Sequence, residues 1–110
     1  MEIETTDENF EKDVIEQSKK VPVLVDFWAA WCGPCQMLGP ILERIAKDKE
    51  YENKFVLAKL NTEENQKRPQ EYGVMSLPSI KLFKDGKIID EFLGAIPEDQ
   101  VKDFLDKHLK

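Results

Sequence analysis

Apolar and polar positions change rhythm along the chain, and each rhythm predicts one kind of element. Phe10, Val14 and Ile15 recur at helical spacing and mark the inward face of a first helix ending near Lys19 and Lys20. Thr5, followed three positions later by Glu8, fits a capping box for that helix, and Asp7 and Glu8 suit the positive end of its dipole. From Val21 to Trp28 the chain is mostly apolar and β-branched, as a central strand covered on both faces requires. Pro22 lacks an N–H and belongs at the start of that strand. Met37, Leu38, Ile41, Leu42, Ile45 and Ala46 return to helical spacing, with Met37 read as a core residue and Pro40 as the site of a kink about one turn past Cys35.

Phe55 to Leu60 reads as a second interior strand, parallel to the first because a helix lies between them. The polar stretch 61–71 holds a short helix stopped by Tyr72 and Gly73, its start delayed or its length cut by Pro69. Ser79 to Phe83 and Lys87 to Leu93 flank Asp85-Gly86, the signal of an antiparallel hairpin. Val101, Phe104, Leu105 and Leu109 line one side of a closing helix, and the lone histidine, His108, reads as a surface residue there. Together these elements predict an α/β protein, a mixed β-sheet sandwiched between helices.

Composition narrows the function classes. The chain has 110 residues, 41% hydrophobic and 35% charged, which predicts one soluble domain over residues 1–110 with room for a core. A net charge of -6 with no basic stripe speaks against nucleic acid as a partner. No apolar stretch is long enough for a transmembrane helix, so no membrane partner is expected. Met1-Glu2-Ile3-Glu4 lacks the basic-then-apolar pattern of a signal peptide, so the expected location is cytoplasmic.

That location bears on the two cysteines, Cys32 and Cys35, which stand three apart directly after the first central strand. Residues at that spacing on a helix share a side, close enough for their sulfurs to bond. The ring closed would be tiny and would constrain the unfolded chain little, which makes a poor staple and a good switch. Cys32 falls at a helix N-terminus, where unpaired N–H groups and the dipole favour a thiolate, and Cys35 lies one turn deeper and is expected to be less exposed. Between them, Gly33 and Pro34 carry no reactive group but set the geometry between the sulfurs, Pro34 suiting the first helical turn.

Asp26 interrupts the apolar strand on the same face as Leu24 and Trp28. Burial would raise its pKa and suit it to deprotonate Cys35; a carboxylate at the strand's exposed end is the competing reading. Lys59, on the neighbouring strand, either pairs with Asp26 or is an ordinary surface lysine. A metal module needs more ligands than one cysteine pair and a distant histidine supply, unless two chains share the ion, and no metal ligands are assigned.

Val25-Asp26-Phe27-Trp28-Ala29, Trp31-Cys32-Gly33-Pro34-Cys35, Pro40, Lys59-Leu60-Asn61, Tyr72-Gly73-Val74, Leu77-Pro78, Phe83-Lys84-Asp85-Gly86 and Gly94 carry a further inference. Through them the chain resembles the thioredoxin family over essentially its whole length. The resemblance implies the thioredoxin fold, a central mixed β-sheet of about five strands flanked by about four helices. It implies a thiol–disulfide oxidoreductase, a general protein-disulfide reductase that needs no cofactor beyond the Cys32–Cys35 disulfide. Disulfide-containing proteins would be its substrates, a separate thioredoxin reductase its electron donor, and the chain a monomer. Cys32 would attack and Cys35 resolve, with Asp26 and Lys59 assisting.

The resemblance also implies a cis peptide before Pro78, and a flat apolar surface around Cys32 made by Trp31, Gly73, Val74, Met75, Pro78, Gly94 and Ala95. For Met75 and Ala95, packing in the core is the competing reading. Ser79, Gln36 and Pro69 depart from the family's usual residues. A disulfide oxidase or isomerase, and a non-catalytic binding subunit on the same fold, are the alternatives.

Overall fold

A computed structural model describes residues 1–109. Five strands, β1 (Glu2–Glu4), β2 (Val23–Trp28), β3 (Val56–Asn61), β4 (Ser79–Lys84) and β5 (Lys87–Leu93), form one sheet in the order β1-β3-β2-β4-β5. The first three run parallel, β4 runs antiparallel to β2, and β5 antiparallel to β4. The helices are α1 (Gly33–Lys47), α2 (Lys67–Glu71) and α3 (Glu98–Asp106), with a π-helical segment Glu11–Glu16 and a 3₁₀ turn Gln17–Lys19 before β2. This is the thioredoxin fold.

Alternation along β2 sorts its side chains between two cores. Leu24 packs with Leu38, Leu42 and Ile45 of α1 and with Val101 and Leu105 of α3. Val23, Val25 and Phe27 face the other way, onto Phe10, Val14 and Phe83. Both faces of β2 are thus covered, and its near-continuous apolar run follows from that. Asp26 is the exception, on the α1 side of the sheet and only 2% exposed.

Several sequence expectations need correction. β1 was not legible: one apolar residue, Ile3, between two glutamates is too short a rhythm, and the strand exists because β3 pairs with it. Thr5 does not cap the first helix. Its backbone N–H donates to the Lys59 carbonyl at 2.9 Å, which carries it into the sheet, and the oxygen that takes the Asn9 N–H is Thr6 Oγ1, at 3.1 Å. Asp7 serves another helix: its carboxylate accepts the Lys67 and Arg68 N–H groups at the start of α2.

Met37 is 68% exposed rather than buried, because the inward stripe of α1 runs through Leu38, Leu42 and Ile45 and Met37 lies about 100° away from it. His108 is half-buried, and its ring nitrogen meets Asp90 Oδ2 on β5 at 2.8 Å, so it is not a free surface residue.

Other expectations hold. α2 starts late, and Pro69 sits at its third residue, where a missing N–H costs no helical bond. The hairpin turns through Asp85 (φ 53) and Gly86 (φ 81), both left-handed, as a two-residue type I′ loop demands.

Candidate functional site

β2 ends at Trp28, and the chain turns through 29–31 to deliver Cys32 as the N-cap of α1. Pro34 occupies the first turn, where its fixed φ is already helical. Cys32 and Cys35 form a disulfide across 5.3 Å between Cα atoms. The Cys35 N–H donates to Cys32 Sγ at 3.2 Å, so the sulfur takes the place a serine or aspartate oxygen holds at an ordinary cap. Once the bond is reduced, the same N–H and the helix dipole favour negative charge on that sulfur.

Cys35 is not the less exposed of the two. Cys32 is 4% and Cys35 5% exposed, since the disulfide draws both sulfurs against Ala29, Trp28 and Leu77.

Asp26 and Cys35 line the same cavity, of about 220 Å³, together with Trp28, Gly39, Glu43 and Lys59. Asp26 Oδ1 is buried without a hydrogen-bond partner in the protein. Burial pushes the Asp26 carboxyl up to about 7; the Lys59 charge pulls it down and the Glu43 charge pushes it up, both less strongly. The exposed-carboxylate reading of Asp26 therefore fails.

Lys59 stands opposite Asp26 in the β2–β3 register, but its ion-pair partner is Glu43, at 2.7 Å. The Asp26–Lys59 pair is thus replaced by a longer-range influence, because α1 offers Lys59 a carboxylate nearer to solvent; nor is Lys59 an ordinary surface lysine, its side chain being 17% exposed. Burial works against the Lys59 ammonium, yet the hydrogen bond and charge of Glu43, together with the charges of Asp26 and Glu2, hold its pKa above the ordinary lysine value. Glu43 escaped sequence analysis because it is one glutamate among many on a helix surface.

Around the disulfide, Trp31 and Met75 are 72% and 96% exposed, which settles Met75 as a surface residue. Ala95 is exposed as well, Gly73 is exposed, Val74 and Gly94 are half-buried and Pro78 is buried. Trp31, Val74 and Met75 share a groove with Leu77, which packs on the two cysteines. The Leu77–Pro78 peptide is cis, and the Gly94 N–H donates to the Pro78 carbonyl at 2.9 Å, tying the end of β5 to that loop. Leu77 and Thr62, which line the same groove, were not among the residues predicted for this surface.

Among the described residues, no group of three or more His, Cys, Asp or Glu could hold a metal ion, and no helix is long and apolar enough to cross a membrane.

The family model Thioredoxin matches residues 1–107. The chain is 44% identical to the thioredoxin of Chlorobaculum thiosulfatiphilum, over 96% of this chain and 94% of that protein. It is 44% identical to the thioredoxin of Pseudomonas aeruginosa, over 97% and 95%. With the thioredoxin of Buchnera aphidicola it shares 48% identity over 98% and 96%. Likeness of that extent, carried by a strand that empties into a two-cysteine disulfide at a helix start, gives one assignment: the chain belongs to the thioredoxin family and is a thiol–disulfide oxidoreductase, a protein-disulfide reductase.

Proposed function

We propose that Cys32 is the attacking sulfur and Cys35 the resolving one, with Asp26 taking the proton that resolution releases. In the reduced protein the Cys32 thiolate attacks a substrate disulfide. The substrate S–S bond breaks, a mixed disulfide forms, and one substrate sulfur leaves as a thiolate. Cys35 then gives its proton to the Asp26 carboxylate and attacks Cys32 Sγ. That step closes the Cys32–Cys35 disulfide and releases the second substrate thiolate, so two electrons have passed to the substrate.

The observation that carries this reading is the N-cap position of Cys32, whose Sγ is met by the Cys35 N–H. A carboxyl poised near neutrality in the same cavity as Cys35 supports the role of Asp26. Lys59 tunes that carboxyl by its charge, and Gly33 and Pro34 set the spacing of the sulfurs.

The substrate is a disulfide in an extended protein segment. It lies against Trp31, Gly73, Val74, Met75, Gly94 and Ala95 and pairs with the backbone beside Pro78 as an added strand. A thioredoxin reductase returns the electrons, and the chain acts as a monomeric single domain in the cytoplasm, in electron transport and redox homeostasis. The net charge of -6 fits the absence of nucleic-acid partners.

The test is reduction of insulin by dithiothreitol. The native chain is expected to speed it, Cys32→Ser to bring it back to the rate of dithiothreitol alone, and Cys35→Ser to accumulate a mixed disulfide on Cys32. No acceleration by the native chain sinks the reading. A reduction potential as high as that of disulfide isomerases would turn the direction of the chemistry towards oxidation.

A further inference from the structure

On the dithiol's side of the sheet, α1 lays Gly39 and Glu43, one turn apart, over Lys59 of β3. Gly39 has no Cβ, and Lys59 Nζ comes within 3.8 Å of where one would stand. From that position the ammonium meets Glu43 Oε2 at 2.7 Å and lies 5.4 Å from the centre of the Trp28 ring. Among the described residues Glu43 is the only carboxylate within ion-pair distance of Lys59, although Asp26 is its register neighbour. The Glu43 side chain is 35% exposed while Asp26 is 2% exposed, so the pair sits at the outer end of the cavity that Asp26 and Cys35 line.

We propose that Glu43 is a positioning residue for the resolving step: it draws the Lys59 ammonium outward and so leaves the Asp26 carboxyl able to take and release the Cys35 proton. The inference rests on the role given to Asp26 above. Without Glu43, the flexible four-carbon stem of Lys59 can bring its charge to Asp26 across the neighbouring strands. A cation within about 4–6 Å lowers a carboxyl pKa by roughly one to three units. A carboxylate so clamped is a weak base towards a thiol, whereas a general base works best near the operating pH.

The charges that bear on Asp26 are Lys59 from β3 and Glu43 from α1. Cys35 of α1 shares its cavity, β4 places uncharged Ile80 opposite it, and Glu2 of β1 acts on Lys59.

The experiment follows the titration of the Asp26 carboxyl by its ¹³C resonance in the reduced, full-length protein, so that the readout does not depend on turnover. Glu43→Gln keeps the shape and removes the charge, and is expected to lower the midpoint by about one pH unit or more. Glu43→Asp is expected to hold it near the native value. In a Lys59→Met background, Glu43→Gln is expected to move the midpoint by less than half as much, because the cation that Glu43 restrains is gone. An unchanged or raised midpoint in Glu43→Gln overturns the proposal. So does an equal drop in Glu43→Asp or in both lysine backgrounds. Native-rate resolution of a mixed disulfide by Asp26→Asn would instead overturn the role of Asp26, and the Glu43 measurement would stand apart from it.

Discussion

Two charged residues lie inside the sheet, Asp26 on β2 and Lys81 on β4, and they meet burial in opposite ways. Asp26 is 2% exposed and Lys81 6%. Lys81 stands beside Val25 and Glu91 in register, on the face of the sheet away from α1, and its Nζ reaches Glu91 Oε1 at 2.5 Å. Glu91 is 55% exposed, so the lysine buries its stem and places its charge beside a carboxylate in contact with water. Asp26 has a single methylene and no such reach. Its Oδ1 has no hydrogen-bond partner in the protein, and burial without a partner favours the neutral acid. Low exposure alone does not mark a chemical group. What separates the two is the length of the side chain and where it leads.

The largest expected effect tests that difference through stability. The folded pKa of Asp26, about 7, lies above its ordinary 3.8, so between those values the folded state binds the proton and the unfolded chain does not. Stability is therefore lost as pH rises from about 4 to about 7. At about 1.4 kcal/mol per unit the loss is roughly 4 kcal/mol. Asp26→Asn carries no such linkage. Urea denaturation of the oxidised proteins is expected to show the variant gaining roughly 4 kcal/mol on the native chain between pH 4 and pH 8. A gap that stays constant with pH would show that Asp26 ionises as easily in the folded protein as in the unfolded chain, and the contrast with Lys81 would be lost.

Next in size is the effect on chemistry. Asp26→Asn is expected to slow resolution of a preformed mixed disulfide at pH 7 by about a hundredfold, the low end for a positioned general base. Lys81→Met, on the opposite face of the sheet, is expected to leave that rate unchanged. Quenched single-turnover reactions measure both. Equal slowing by the two variants would mean that disturbance of the sheet, not proton transfer, sets the rate.

How much of this was legible in the chain follows from how local each signal is. Cys32, Pro34 and Cys35 are close neighbours, and a charged residue breaking an apolar strand is visible at Asp26. The hairpin was legible because Asp85-Gly86 dictates its own turn. Glu43 and Lys59 are 16 residues apart, and nothing in either segment says that α1 lays the one over the other. The pair between His108 and Asp90 likewise depends on where α3 lands on β5. Met37 misled because it adjoins Leu38, and only the rotation of the helix in place tells the two apart. Lys81 raised no signal, because a lysine in a strand next to an edge reads as an outward-facing residue until the sheet order is known.

The smallest expected effect is also the sharpest check on the reading of Lys81. In Lys81→Met the apolar volume is kept, and the carboxylate left behind, Glu91, is already more than half exposed and can be hydrated. Replacing a buried ion by an apolar side chain of similar volume is often close to neutral, so the variant is expected to differ from the native chain by no more than about 1 kcal/mol in urea denaturation at pH 7. Glu91→Gln is expected to cost more, because it leaves the buried member of the pair without its counter-charge. Should Lys81→Met prove the costlier of the two, the ammonium would be holding the sheet together, and Lys81 could no longer serve as the inert counterpart of Asp26.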